Sequence, residues 1–258
     1  MVSNARNSEP AAAGRGYGQY CPLALAAEIL CRRWSLLVVS RVIDGCETFN
    51  DIHRGVPRIS PSLLSTRLGE LEHAGIIRRE KQPNGRGHRY RLTEAGRDLD
   101  DIVMAIAVWG QRWARDMTTD DLDPGFLAWS MHTRLNIDAM PAGRTVMHFK
   151  FSGAPFDCDR FWLVVDGGSV DMCLKDPGHE PDLVVRSDLQ LFVEAWRGFR
   201  DLKALIRRGD IGVEGPTKLR RAFPNWLLLS ALAPYRREAK GRQGTVAKRA
   251  SNVRRTSR

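Results

Sequence analysis

Apolar residues recur at helical spacing through the first part of the chain. Residues 22–33 carry one apolar face behind Pro22, and residues 34–43 continue as a second amphipathic segment that Gly45 ends. Thr48 is a suitable N-cap for a short third helix. The pattern therefore predicts three consecutive helices before residue 57.

A fourth helix is predicted with Ser60 as N-cap and Pro61 in its first turn. Its apolar positions share one face and are Leu64, Leu68 and Leu71. The small residues on the opposite face are Ser62, Ser65, Thr66 and Gly69. Because small side chains let a helix enter the major groove and hydroxyls donate to or accept from base edges, this segment is typical of a recognition helix.

The period changes after Gly75, where residues 76–82 and 88–93 read as two strands joined by a tight turn. The basic residues around this hairpin are Lys81, Arg86, Arg89 and Arg91. A positive hairpin beside a recognition helix suits a wing over the phosphate backbone. An ordinary charged hairpin is the alternative.

Thr93 then caps a long predicted helix that extends to about residue 117. Its apolar stripe consists of Leu99, Ile102, Val103, Ile106, Trp109 and Trp113. The stripe is wider than a small domain needs for its own core, which favours a dimer surface. Packing against a second domain is the alternative.

Residues 21–117 resemble the HxlR-type winged-helix regulators, which are related to the MarR group. The resemblance is carried by Cys21-Pro22, RRWSLLVVSRVIDG, FNDIHRGVPRISPSLLSTRLGELEHAGIIRR and RYRLTEAGRDL. It implies a homodimer on double-stranded DNA with a roughly palindromic operator, and it favours a repressor. By position it assigns Ser60, Ser62, Ser65, Thr66 and Arg67 to the recognition helix, and Arg86 and Arg89 to the wing, with Arg67 expected on a phosphate.

Two features near the start of this region concern the bend before the second helix and the cysteine before the first helix. The usual GGKW before the second helix is CRRW here, which leaves the bend without its glycines. Some relatives sense oxidants through a cysteine at the position of Cys21, and a helix N-terminus favours the thiolate. Cys31 is one candidate partner unless it is buried. A purely structural Cys21 is the alternative.

Residues 126–235 show the alternation of strands, followed by helical segments around residues 188–208 and 217–232. With TTDDLDPG as a joint, we predict an α+β protein of two domains. These are a mainly helical winged helix-turn-helix over residues 17–117 and a smaller antiparallel-sheet-plus-helices domain over residues 126–235, joined by residues 118–125. Residues 1–16 and 236–258 are predicted to be a flexible N-terminus and a disordered basic tail.

The second domain resembles the sterol-carrier-protein fold through FWLVVDGGSVDMCL, PDLVVRSDLQLFVEAWRG and ALIRRGDIGVEGP. That resemblance implies an apolar tunnel for a small lipophilic or aromatic ligand. The aromatic residues available to line it are Phe149, Phe151, Phe161, Trp162, Phe192, Trp196, Phe199, Phe223 and Trp226. The alternative is that they only fill the core.

Composition adds location and charge to this picture. The net charge is +10, and residues 236–258 contain nine Lys or Arg and one Glu, so the tail is predicted either to hold phosphates or only to aid solubility. No apolar run is long enough for a membrane span or a secretory signal, which predicts a cytoplasmic protein. The five cysteines show no disulfide framework and no metal-ligand spacing.

No catalytic arrangement is apparent, so the chain is predicted not to be an enzyme and to need no cofactor. Asp157 and Asp159 are read as loop acids rather than a catalytic pair. The leading hypothesis is a ligand-responsive DNA-binding regulator. The alternative is a constitutive or Cys-redox-controlled regulator whose C-terminal domain is a scaffold, and a third hypothesis is an enzyme or lipid carrier fused to a DNA anchor.

Overall fold

The computed structural model describes residues 16–82, 87–154 and 158–238. The first fifteen residues, the hairpin turn with Arg86, Asp157 and the tail from residue 239 onward lie outside the described residues. A helical region with a two-stranded hairpin is followed by a region built on a five-stranded sheet. The mixed α and β composition expected from the sequence is therefore confirmed.

The caps and glycines of the N-terminal region lie where the sequence predicts them. Its elements are α1 (Pro22–Leu30), α2 (Ser35–Ile43), α3 (Phe49–Gly55), α4 (Pro61–His73), β1 (Ile77–Lys81), β2 (His88–Leu92), α5 (Glu94–Arg97) and α6 (Leu99–Trp113). The hydroxyls of Thr48, Ser60 and Thr93 each accept a backbone N–H at a helix start. Gly45 has φ of 90°, which L side chains rarely adopt. The helix ends differ from the prediction: α1 ends at Leu30 rather than at residue 33, and the long helix divides at Asp98 into α5 and α6 and ends at Trp113.

The core of this region confirms the predicted inward face of α4. Leu64, Leu68 and Leu71 are all at most 1% exposed, and they pack with Val38 and Ile52 from the preceding helices. Burial of one such side chain contributes about 1.5–3 kcal/mol. This packing fixes α4 so that its polar face is directed outward.

The C-terminal region contains one strand pairing that the sequence prediction had wrong. Its elements are α7 (Pro124–His132), β3 (Thr145–Ser152), β4 (Arg160–Asp166), β5 (Ser169–Cys173), β6 (Leu183–Asp188), α8 (Leu189–Trp196), α9 (Leu202–Arg208), β7 (Gly212–Glu214) and α10 (Thr217–Ala222). The strand order is β5-β4-β3-β6-β7, and β3 pairs with β6 in parallel rather than antiparallel. The segment 174–182 returns the chain across the sheet, so that β6 runs in the same direction as β3.

The segment predicted as a linker is itself folded. Thr119–Asp121 forms a short 3-10 helix, and α7 begins at Pro124 with the Asp123 carboxylate accepting the Phe126 N–H at 3.0 Å. Leu122 is 3% exposed and belongs to the C-terminal core. The sequence Asp-Pro is a helix-start signal that the linker interpretation overlooked. At the other end, Pro224 falls in a 3-10 helix, and α10 stops at Ala222.

His148 lies on the sheet face opposite the main core and stacks on Trp162 at 4.1 Å between ring centroids. It is 7% exposed, and among the described residues its Nε2 has no hydrogen-bond partner. The pKa of His148 is lowered from 6.5 to about 4, chiefly by burial and also by the nearby charges of Lys150 and Arg160, while Asp176 opposes the shift. The imidazole is therefore neutral at pH 7.

This depressed pKa predicts a loss of stability in acid. Because the unfolded chain binds the proton near pH 6.5 and the folded chain near pH 4, the contribution of His148 is full above pH 6.5 and falls as the pH drops toward 4. We expect the free energy of unfolding to decrease by about 3 kcal/mol across that window. Urea denaturation of the wild type and of His148→Phe, which keeps the stack on Trp162, measures the difference. Equal pH slopes for the two proteins would contradict the assignment.

Candidate nucleic-acid interface

The outward face of α4 is a row of small polar side chains. Ser62, Ser65 and Thr66 are exposed, and the Thr66 hydroxyl donates to the Ser62 carbonyl at 3.1 Å. Ser60 and Ser62 exchange a hydroxyl contact at 3.3 Å, and Ser60 also caps the helix. Ser65 thus presents its hydroxyl beside a helix surface without long side chains, which a base edge can approach.

Arg67 occupies a different environment from its neighbours on α4. Its side chain is 15% exposed, its Nε donates to the Arg33 carbonyl at 2.8 Å and its Nη1 donates to Glu70 Oε2 at 2.6 Å. These bonds tie α4 to the bend before α2. The phosphate contact expected for Arg67 therefore competes with an internal role for the same guanidinium.

That bend is unusual because Trp34 adopts a left-handed conformation with φ of 80°. Trp34 is the last residue of the CRRW segment, and a non-glycine residue in this conformation carries a conformational cost. The Arg33 guanidinium lies over the Trp34 ring at 5.3 Å. Trp34 also packs against the N-terminal core, which offsets the cost of its backbone conformation.

The wing is an antiparallel hairpin in which Lys81 pairs with His88. It is anchored to the segment before α3 because the Tyr90 N–H donates to the Glu47 carbonyl at 2.7 Å and Arg89 forms a bridge with Thr48. The Glu47 carboxylate lies 3.5 Å from Arg89 and 3.1 Å from Arg91. Lys81 is exposed, and in the described part of the chain no carboxylate lies within 4.0 Å of it.

Four residues of the predicted stripe on α6 remain uncovered in the single chain, whereas Leu99 is buried in the N-terminal core and Val103 packs against it. Ile102, Ile106, Trp109 and Trp113 are 47%, 47%, 62% and 52% exposed. α1 is also open, since none of its residues is buried and Leu23 is 76% exposed. Among the described residues, α1 and α6 thus each present exposed apolar side chains.

The opposite side of α6 packs on the C-terminal region through Gln111, which is 1% exposed. Its Nε2 donates to the carbonyls of Arg197 at 3.0 Å and Leu232 at 3.3 Å, and its Oε1 accepts from Arg197 at 2.6 Å. One helix thus carries the exposed apolar stripe on one side and a buried polar contact on the other. The sequence offered no signal for the second role.

A second contact between the two regions lies beside the start of α4. Arg58, in the turn before α4, donates to the Asp123 carboxylate at 3.1 Å and to the carbonyls of Asp120 at 2.6 Å and Leu122 at 3.1 Å. The start of α4 is therefore attached to the start of α7. Sequence analysis missed this residue because nothing local distinguishes it from other surface arginines.

The same junction contains a stacked cation. The Arg41 guanidinium lies 4.1 Å from the centroid of Trp129 and forms an ion pair with Asp44 at 3.2 Å. Burial lowers the pKa of Arg41, and Asp44 opposes that shift. A Cβ placed on Gly55 would come within 2.5 Å of Arg41 and 2.9 Å of Trp129, so the contact is tightly packed.

The aromatic residues predicted to line a tunnel instead contact one another. Phe149, Phe161, Phe192, Phe223 and Trp226 are fully buried, and Phe149 has ring neighbours at 4.8, 5.9 and 6.2 Å. The remaining members are Phe151 and Trp196 in the same cluster, Trp162 on the opposite face of the sheet, and half-buried Phe199 beside Arg197. The arrangement is a filled core, which supports the alternative that these rings stabilise the fold.

Cys21 and Cys31 stand at opposite ends of α1, and both thiols are exposed and free. Cys31 is therefore not buried, and the alternative that burial removes it as a partner does not apply. A helix of this length separates its ends by about 15 Å, whereas a disulfide needs Cα atoms closer than about 7 Å. While α1 is intact, the two thiols of one chain cannot pair.

The described residues contain no group of three or more His, Cys, Asp or Glu side chains that could hold a metal ion. Asp159 is paired with Arg160 at 2.6 Å, which suits the loop role predicted for it. In the described part of the chain, no helix is long and apolar enough to cross a membrane.

Comparison with known proteins gives matches to the N-terminal region. A family model described as HxlR-like helix-turn-helix matches residues 29–118. YvaP of Bacillus subtilis strain 168, an HTH-type transcriptional regulator, is 33% identical over 111 residues, which cover 42% of this chain and 95% of YvaP. YdeP of the same strain, also an HTH-type transcriptional regulator, is 33% identical over 95 residues, covering 36% of this chain and 73% of YdeP.

Among solved structures, the reduced form of the transcriptional regulator YodB from B. subtilis is 29% identical, with a TM-score of 0.34. The match covers 39% of this chain and all of YodB. The two curated relatives named above are described as regulators of transcription rather than as enzymes.

Proposed function

The chain belongs to the HxlR-like helix-turn-helix family of DNA-binding transcriptional regulators, and we propose that it binds a palindromic operator as a homodimer and acts as a repressor. The observation that carries the proposal is the exposed hydroxyl face of α4, with Ser62, Ser65 and Thr66. In this proposal α4 enters the major groove, and these hydroxyls contact base edges.

The wing contributes affinity rather than sequence preference in this proposal. Lys81 supplies an exposed ammonium for the phosphate backbone, and Arg89 on the paired strand is proposed to add a second cation. Arg86, which the same proposal assigns to the wing, lies outside the described residues. Arg67 is left out of the contact set because its guanidinium is bonded to Arg33 and Glu70. Phosphate contacts of this kind release counterions and make the affinity dependent on salt.

The homodimer is proposed to form through α1 and α6. The exposed apolar side chains of both helices support a second copy of this chain as the occupant, because an isologous pairing covers the same face on each protomer. A two-fold axis at this surface gives two copies of α4 about one helical turn of DNA apart.

For the C-terminal region we propose a separate domain with a sterol-carrier-like arrangement. Its own core, distinct from that of residues 17–117, supports the division into two domains. The filled aromatic core favours the scaffold hypothesis over a tunnel for a lipophilic ligand. Arg58 and Gln111 support a fixed orientation of this domain relative to the helix-turn-helix.

The division of labour between α4 and the wing is testable by substitution. We expect Lys81→Ala to weaken binding to all sequences about equally and to reduce the salt slope by about one per protomer. Ser65→Ala should instead reduce the free-energy difference between the preferred base and the other bases at the contacted position by about 1–3 kcal/mol. Selection of binding sites from random duplexes, followed by fluorescence anisotropy at several salt concentrations, measures both effects.

Lys175→Ala is the matched control, because this exposed lysine lies in the C-terminal region. It should leave affinity and salt slope unchanged. An unchanged salt slope in Lys81→Ala would argue against the wing contact. An unchanged site preference in Ser65→Ala would argue against base contact by that hydroxyl.

A second candidate function is redox control through Cys21, which the exposure of this thiol at the start of α1 favours. Because Cys31 of the same chain is out of reach while α1 is intact, we propose that the second thiol comes from another molecule. We expect diamide to lower DNA affinity at least about fivefold in the wild type and not in Cys21→Ser. Cys46→Ser controls for other thiols, and equal diamide responses in wild type and Cys21→Ser would exclude the mechanism.

A further inference from the structure

A cleft of about 1590 Å³ lies between the end of the N-terminal region and the C-terminal region. The turn between α8 and α9 forms one wall, and the segment from Pro224 to Arg237 forms another. Met117, which follows α6, closes one end. The cleft is separate from the aromatic core, since among the rings of the predicted tunnel only Phe199 borders it.

The charges that line the cleft are unbalanced. Each lining acid has a partner within the chain: Glu194 pairs with Arg200 at 2.5 Å, Asp116 pairs with Arg237 at 2.7 Å, and Asp201 caps α9. Four lining cations have no carboxylate within 4.0 Å among the described residues, and they are Arg134, Arg197, Lys203 and Arg236. The cleft therefore has an excess of positive charge.

Two of these cations, Arg134 and Arg197, are half-buried, so water screens their attraction for an anion less than at the surface. Arg134 donates through Nε to the Leu229 carbonyl, and Arg197 donates to the neutral amide oxygen of Gln111. Neither contact neutralises a positive charge. Burial lowers the pKa of Arg197, and the neighbouring Arg237 lowers it further. An anion in the cleft would offset both the loss of solvent around the Arg197 guanidinium and its repulsion by Arg237.

The same cleft has an apolar side. Phe199 lies under the Arg197 guanidinium at 4.7 Å, and Leu228 is 52% exposed. The next residue, Leu229, has φ of 58°, a left-handed conformation that a leucine adopts only at a cost. Strained residues of this kind concentrate at ligand-binding sites.

We propose that this cleft binds an amphiphilic organic anion. A carboxylate or sulfonate lies among the four unneutralised cations, and the aromatic or alkyl part covers Leu228 and Phe199. Combined charge and apolar surface select such a molecule over a neutral lipid, which gains nothing from the cations, and over inorganic phosphate, which gains nothing from the apolar side.

Arg197 links the cleft to DNA binding, and this step rests on the proposed homodimer. Its guanidinium bonds Gln111 of α6 at 2.6 Å, and the apolar stripe lies on the other side of the same helix. An anion that draws Arg197 away from Gln111 removes a buried contact that holds α6. Occupancy of the cleft is therefore coupled to the proposed dimer surface.

Binding can be measured without DNA, so that it succeeds or fails independently of the proposed function. The probe is 8-anilinonaphthalene-1-sulfonate, and N-phenyl-1-naphthylamine is the matched neutral compound without the sulfonate. Fluorescence titration of the full chain should give a saturable site for the sulfonate that is at least about tenfold tighter than for the neutral compound. Arg134→Gln/Arg236→Gln should weaken sulfonate binding about tenfold or more.

Arg208→Gln is the control, because this arginine lies outside the cleft and pairs with Asp210. It should bind the sulfonate as the wild type does. If the double variant unfolds, Arg236→Gln alone serves, since this exposed side chain has no described partner. Equal affinity for the two compounds, or sulfonate binding unchanged in the variants, overturns the proposal. Displacement of the sulfonate by a short DNA duplex would assign the cations to the phosphate backbone instead.

Discussion

Ile106→Asp is expected to yield a monomer and to lower the affinity for a two-half-site operator by more than about 100-fold. The side chain is 47% exposed in the single chain, and the proposed dimer covers it. A carboxylate buried there without a partner costs several kcal/mol. Loss of the second α4 also removes the effective-concentration gain of about 10²–10⁴ that two linked half-sites provide.

Light scattering reports the assembly state in this experiment, and fluorescence anisotropy reports the affinity. Met104→Asp is the matched control, because Met104 is 42% exposed on the same helix but lies on the opposite side from Ile106. It should leave both measurements near the wild-type values. A dimeric Ile106→Asp protein with full operator affinity would show that the α6 stripe is not the dimer surface.

Trp129→Ala is expected to lower the free energy of unfolding by about 3–5 kcal/mol. The ring is 6% exposed and supports the Arg41 guanidinium at 4.1 Å, so its removal leaves both a cavity and a buried cation without its aromatic partner. Because the contact joins α2 to α7, the effect should extend to both regions.

Chemical denaturation followed by far-ultraviolet circular dichroism measures the loss. Phe126→Ala is the control on the same helix, since this ring is 44% exposed and lies 5.8 Å from Arg41. It should cost about 1 kcal/mol or less. A double-mutant cycle of the wild type, Trp129→Ala, Arg41→Met and Trp129→Ala/Arg41→Met isolates the coupling between ring and guanidinium. A Trp129→Ala protein no less stable than Phe126→Ala would exclude a stabilising junction.

The two experiments test different parts of the same arrangement. Ile106 concerns the outer side of α6, where a second chain is proposed, and Trp129 concerns the contact between the helix-turn-helix and the C-terminal region. The coupling proposed for the cleft runs through Arg197 and Gln111 of α6, so the Ile106 experiment bears on it directly, whereas the Trp129 experiment measures how firmly the two regions are held together.

The amino-acid sequence determined the local structure of this protein. Thr48, Ser60 and Thr93 cap helices as predicted, and the leucine spacing of α4 separates a buried face from a polar one. These features depend on hydrogen bonds and periodicities within a few residues, which a single chain segment encodes. The family resemblance rests on the same short-range motifs.

The tertiary structure decided what depends on distant residues. The parallel pairing of β3 with β6, the attachment of Arg58 to Asp123 and the stacking of Arg41 on Trp129 join segments far apart in the chain. The aromatic residues contact one another in the core, and the sequence could not specify these contacts because alternation predicts burial but not what a buried ring touches. Contacts of this kind form only when packing selects one arrangement among many that the same local pattern allows.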